Sequence, residues 1–255
     1  MKKRFLILIF ICIAIISFPA LRIDENFQNA YRELQELFKI APRYYLRIDE
    51  NQAQPMTVDN DRFYMIILPG SISMETARHE MAHVFFFELC KLNGLSPEDF
   101  PIWYHELVAS WFQVLGGRDI KLLPLKSIFF DFFACVDEYP SLEDTKAFYL
   151  SIRSFALFLD KRFDFKNFVL NTLNVAKRTG FSGVKLFNED PKILLRKWRF
   201  WKLLPYLLYT LLVILLVYIV SGRRDDRWRG SELGETGEKE VIENKEFQDY
   251  DHPED

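Results

Sequence analysis

The sequence predicts an α+β domain, a small N-terminal set of strands followed by a mainly helical C-terminal part, flanked by two transmembrane segments. Three observations predict it. Short aromatic and β-branched runs bounded by Pro, Asp, Asn and Gly occur before Gly70. After Gly70 the apolar residues recur mostly at helical spacing. Two uncharged apolar runs, Phe5 to Leu21 and Leu203 to Gly222, stand on either side of this domain.

The first run is 17 residues long and follows Lys2, Lys3 and Arg4. That pattern belongs to a signal peptide or a signal anchor over residues 1–22. Cleavage needs two spaced small residues, and Phe18-Pro19-Ala20 offers one, which favours an uncleaved anchor. The second run holds 20 residues, 203–222. As a helix it is about 30 Å long, the thickness of a bilayer's hydrocarbon core. Trp198, Trp201 and Tyr206 near one end suit an interfacial aromatic belt. Two crossings put Lys2, Lys3 and Arg4 in the same compartment as Arg223, Arg224, Arg227 and Arg229, which the positive-inside rule makes the cytoplasm. Arg196, Lys197, Arg199 and Lys202 argue the other way, but the first segment usually dominates. Residues 23–202 are therefore expected outside the cytoplasm, anchored to the cell membrane.

The tail, 223–255, has 12 acidic and 6 basic residues, a net charge of −6, and little apolar periodicity. It reads as disordered and cytoplasmic. The whole chain carries −3, so the rest carries +3. With a pI near 5.9, nothing in the charge calls for a nucleic-acid partner. Cys12, Cys90 and Cys135 make no disulfide framework, and Cys90 and Cys135 read as isolated buried thiols.

Within the domain, Phe27, Ala30, Tyr31, Leu34, Leu37 and Phe38 predict a helix over 25–40. Strands are predicted at Tyr44 to Ile48 and Phe63 to Leu68. Helices are predicted at about 73–92, 102–115, 143–161, 165–178 and 191–202, with a helix start at Ser96-Pro97-Glu98 and a stop at Gly116-Gly117.

The chemistry concentrates in Thr76-Ala77-Arg78-His79-Glu80-Met81-Ala82-His83-Val84-Phe85, which contains H-E-x-x-H in an apolar helical context. Residues four apart lie about 40° apart around a helix and one turn apart along it, so His79 and His83 can converge on one ion. Imidazole nitrogen is a good zinc ligand. Glu80, one residue on, can take a proton from a water whose pKa zinc lowers from about 15.7 towards 7. The bland reading is two core histidines at a chance spacing. With 4 His in 255 residues, that coincidence is the weaker explanation.

A catalytic zinc site usually has three protein ligands. Phe86 and Leu89 stand where a metzincin has Gly and His, which excludes that class. Cys90 lies about 10 Å along the helix from His83, too far to share an ion. Glu88 and Asp99 suit solvated positions. The remaining segment is Ile102-Trp103-Tyr104-His105-Glu106-Leu107-Val108-Ala109-Ser110-Trp111. His105 and Glu106 are about 100° apart on it, so at most one faces the metal. Glu106 is favoured, because a carboxylate among Trp103, Leu107, Val108 and Trp111 needs a charged partner.

H-E-x-x-H followed by Trp103-Tyr104-His105-Glu106-Leu107-Val108-Ala109 resembles the gluzincins, the thermolysin- and aminopeptidase-like zinc peptidases, and among them the small peptidase MA-like domains. Ala147-Phe148-Tyr149-Leu150-Ser151 looks like their Tyr-bearing helix, and Leu194-Leu195-Arg196-Lys197-Trp198 is similar to their closing segment. The likeness covers roughly residues 42–200, with Leu107 where the family prefers Gly. It implies a zincin-like fold, zinc on His79, His83 and Glu106, Glu80 as catalytic base, and Tyr149 as the phenol that stabilises the oxyanion. It also implies that Phe63 to Leu68 is the edge strand along which an extended peptide or protein substrate pairs. A competing expectation is a non-catalytic, membrane-bound binding or regulatory module. A multi-pass protease with its site in the bilayer does not fit, since Glu75, Arg78, Glu88 and Lys91 interrupt the motif helix.

Overall fold

A computed structural model describes residues 24–60, 62–70, 72–115, 117 and 122–246; for residues 184 and 222–246 it describes the backbone alone. The first apolar run, Phe5 to Leu21, and Cys12 with it, lie outside the described residues.

The chain divides into two compact units at Lys202/Leu203. The first is mixed α and β, mostly helical, with one three-stranded sheet. It opens on helix α1 (24–38), whose Phe27, Ala30 and Leu34 are fully buried, as their three- and four-residue spacing requires. Strands β1 (Tyr44–Ile48), β2 (Met56–Asp59) and β3 (Tyr64–Leu68) follow. The order is β1-β3-β2, with β1 parallel and β2 antiparallel to β3. Tyr64, Ile66 and Leu68 alternate inward along β3, against the helices.

Two expectations change here. The sheet has a third strand, β2, and β3 lies between the other two, so Phe63 to Leu68 is the centre of the sheet and not its edge. Strand β2 is four residues long and mostly exposed; Met56 and Val58 alternate with Thr57 and Asp59, but the run is too short to stand out in the sequence, and its apolar side chains face solvent.

Helices α2 (Met74–Leu92) and α3 (Ile102–Val114) pack against each other beneath the sheet, and α5 (Leu142–Asp160) packs on α3. The short α4 (Leu125–Phe129), α6 (Phe165–Thr179), α7 (Gly183–Phe187) and the start of α8 (Pro191–Glu246) complete the unit. Its core is rich in aromatic side chains. Trp111 donates to Asp160 at 2.9 Å, and Tyr104 donates to Thr172 at 2.7 Å, so their polar ends are satisfied. Trp198 is a correction: it is fully buried, beside Phe132 and Phe155 and within reach of Ser154, so it is no part of an interfacial belt. Trp201, 57% exposed, remains available for one. Arg199 donates to the carbonyls of Ile128, Phe129 and Phe130, satisfying the C-terminal end of α4. Cys90 and Cys135 are free and buried.

The second unit begins at Leu203. Among the described residues, one helix, Pro191–Ser221, is long and apolar enough to cross a membrane, with a mean hydropathy of 2.5 in its most apolar window. The same helix continues to Glu246, so 223–246 is helical backbone where composition suggested disorder. Glu and Arg, frequent there, are good helix formers.

Candidate metal centre

Helix α2 is set up at both ends by its own sequence. Ser73 at the N-cap accepts from the Thr76 N–H at 3.1 Å, Glu75 lies in the first turn and Lys91 in the last. Gly94, at φ 70°, ends it with a backbone that L-residues resist, and Leu95 N–H returns to Cys90 O at 3.0 Å. Within this frame the four-residue spacing stacks the histidines. The His79 and His83 Nε2 atoms are 3.3 Å apart.

Helix α3 runs against α2 and brings Glu106 to both. Glu106 Oε2 lies 3.3 Å from His79 Nε2, and Oε1 lies 3.8 Å from His83 Nε2. One donor atom from each of the three side chains falls within 4.8 Å of the others. Glu106 is 2% exposed, and its Oε2 has no hydrogen-bond partner despite its closeness to His79. Two imidazole nitrogens and a buried carboxylate oxygen without a hydrogen bond, this close together, form a group that could hold a metal ion.

The electrostatics follow from burial and proximity. Burial raises the cost of charging Glu106, but the adjacent His79 and His83, with a phenol on Oε1, outweigh it and hold the carboxyl at about 2. Burial pulls His83 down to about 3, against the attraction of Glu106, so the ring is neutral and has a lone pair to give. Burial also works to lower His79; Glu106 against it leaves the balance above the ordinary value. Glu80, mostly raised by burial, accepts from Thr57 Oγ1 at 2.8 Å.

His105 is placed differently. Its Nε2 is 3.1 Å from Phe100 O, and its ring sits among Phe86, Phe87 and Phe100, outside the donor group. Glu88 accepts from Tyr64 and Asp99 caps a short 3-10 turn, so neither competes. Leu107 is fully buried and α2 and α3 still pack together, so its bulk is accommodated.

The donor group, Glu80 and His105 line a cleft of ≈ 770 Å³. His79, Glu80, His83 and Glu106 form part of its wall, Met56 and Thr57 bring the edge strand β2 to it, and Tyr149 on α5 lines it with its ring 6.3 Å from that of His79. Two contributors were not among the candidates the sequence offered. Thr57 sits on β2, whose four-residue alternation is too short to stand out. Tyr139 sits in a loop and donates its hydroxyl to Glu106 Oε1 at 2.9 Å. That loop is tied to α3 because its first N–H groups need acceptors: Ile102 N–H donates to Val136 O at 2.8 Å and Trp103 N–H to Cys135 O at 3.1 Å. Compared with protein-family models, curated proteins and solved structures, the chain finds no match.

Proposed function

We propose that this protein is a membrane-anchored zinc peptidase of gluzincin type, with a zincin-like domain outside the cytoplasm, and that His79, His83 and Glu106 hold the metal. One observation carries the reading. A tetrahedral zinc site with bonds of about 2.0–2.1 Å separates its ligand atoms by about 3.3–3.4 Å. The Nε2 atoms of His79 and His83 are 3.3 Å apart, and Glu106 Oε2 is 3.3 Å from the first of them. Burying Glu106 Oε2 without a hydrogen bond is costly, and a metal ion would offset that cost. When bound, zinc supplies a Lewis acid and acidifies water.

The side chains around it have separable tasks. Glu80 takes the proton from the attacking water, with Thr57 fixing one carboxylate oxygen. Burial keeps the Tyr149 phenol protonated, so it can donate to the oxyanion of the scissile carbonyl. Strand β2 has one side unpaired within the sheet and lines the cleft, which suits an extended peptide backbone lying along it. Glu80 held by a hydrogen bond beside the donor group favours catalysis over a purely binding role.

The test is zinc content. The purified protein should carry one equivalent per chain, His79→Ala and His83→Ala should lose it, and Glu106→Ala should bind far more weakly than His105→Ala. Full retention by both histidine variants, or a larger loss from His105→Ala than from Glu106→Ala, would overturn the assignment.

A further inference from the structure

A second recess of ≈ 270 Å³ adjoins the cleft and shares Gln54, Pro55, His79, Glu80 and Tyr149 with it. Arg153 lines it and brings the one permanently positive side chain found among its lining residues. Arg153 and Tyr149 are four residues apart on α5, so they project from one helix face about 6 Å apart. A cation is therefore held one helical turn from the phenol beside the metal centre.

The pairing of Arg153 is incomplete. One terminal N–H group reaches a single oxygen of Glu75 at 2.9 Å, and the Glu75 side chain is 56% exposed. Its Nε is buried without a hydrogen-bond partner. A guanidinium offers five donors in a planar fork that matches a carboxylate. An orphaned buried donor is costly, so a ligand that satisfies it is favoured.

We propose that this recess is a carboxylate subsite, in which Arg153 turns from Glu75 to a peptide's carboxylate held within about two residues of the scissile bond. The spacing follows from the 6 Å offset and the about 3.3 Å that each extended residue spans. The subsite gives the peptidase reading a substrate class: peptides with an acidic side chain or a free C-terminus near the cut. It rests on that reading, but carboxylate binding can be measured without turnover.

The experiment uses the full-length protein in detergent micelles, loaded with zinc. Peptides are supplied in matched sets: free or amidated at the C-terminus, and with internal Asp/Glu or Asn/Gln. Binding is measured in a Glu80→Gln background and cleavage in the wild type, each with Arg153→Ala, Arg153→Gln and Glu75→Gln. Carboxylate peptides should bind about tenfold or more tightly than their neutral partners. Either Arg153 variant should abolish that preference, bringing carboxylate peptides to the level of their neutral partners. Glu75→Gln should keep or strengthen it. Loss on amidation alone identifies the chain end as the source; loss on the Asn/Gln exchange identifies the side chain. No preference at the start, a preference that survives both Arg153 variants, or equal losses in Arg153→Gln and Glu75→Gln would each overturn the subsite. Equal losses would make the pair a clamp between α5 and α2. Carboxylate preference in binding with no bond cleaved by the wild type would retain the subsite and reject the peptidase.

Discussion

Tyr139→Phe isolates one hydrogen bond in the metal centre. The phenol donates to Glu106 Oε1 at 2.9 Å, while the Tyr139 ring is 58% exposed and fills no core space. Removing the hydroxyl therefore leaves packing intact and takes one donor from a buried carboxylate. A hydrogen bond to a charged group contributes about 1.5–3 kcal/mol, or roughly 10- to 150-fold in an equilibrium constant. Outer-shell partners of metal ligands typically count for about 10–100-fold in affinity. Zinc would draw some of the negative charge from Glu106, so the loss expected is about tenfold to several tens-fold in zinc affinity. The assay is competition with a chelating dye, with circular dichroism to check the fold. Tyr149→Phe is the control: it should leave zinc affinity within about twofold and slow peptide hydrolysis. If Tyr139→Phe also stays within twofold, or both variants lose affinity alike, the loop phenol does not position Glu106.

Two further outcomes follow from burial and from charge placement. His83 is held at about 3, so between that value and about 6.5 the unfolded chain takes up a proton that the folded metal-free chain refuses. Stability of the chelator-stripped protein should then fall on acidification through that window by about 1.4 kcal/mol per pH unit from this residue, and His83→Gln should flatten the slope in chemical denaturation. If both chains show the same slope, His83 is not its source. For topology, an impermeant thiol reagent should label Lys177→Cys from outside the cell and Gly230→Cys only after lysis; labelling of both from one side would reject the two-span arrangement.

The donor group was legible because helix geometry is local. Once Ser73, the apolar run and Gly94 define α2, the spacing of His79 and His83 fixes their meeting, and the 23 residues from His83 to Glu106 allow one turn and a second helix. What supports the group comes from tertiary placement. Thr57 reaches Glu80 from a four-residue strand stabilised by pairing with β3, and Tyr139 reaches Glu106 because the α3 N-terminus ties its loop down. Nothing in the local sequence encodes either meeting. Trp198 was misread for a related reason. Beside an apolar segment a tryptophan suits an interface, and only Phe132 and Phe155 packed against it reveal a core residue.

On the proposed chemistry the centre hydrolyses peptide bonds and Glu80 supplies the base. The most direct measurement incubates zinc-loaded wild-type and Glu80→Gln protein with a diverse peptide pool, follows new termini by mass spectrometry, and determines zinc in both samples. The wild type should cleave, Glu80→Gln should cleave nothing above background, and each should carry one equivalent of zinc. A fully loaded wild type that cuts nothing, or a Glu80→Gln protein that cuts as fast, would contradict that chemistry.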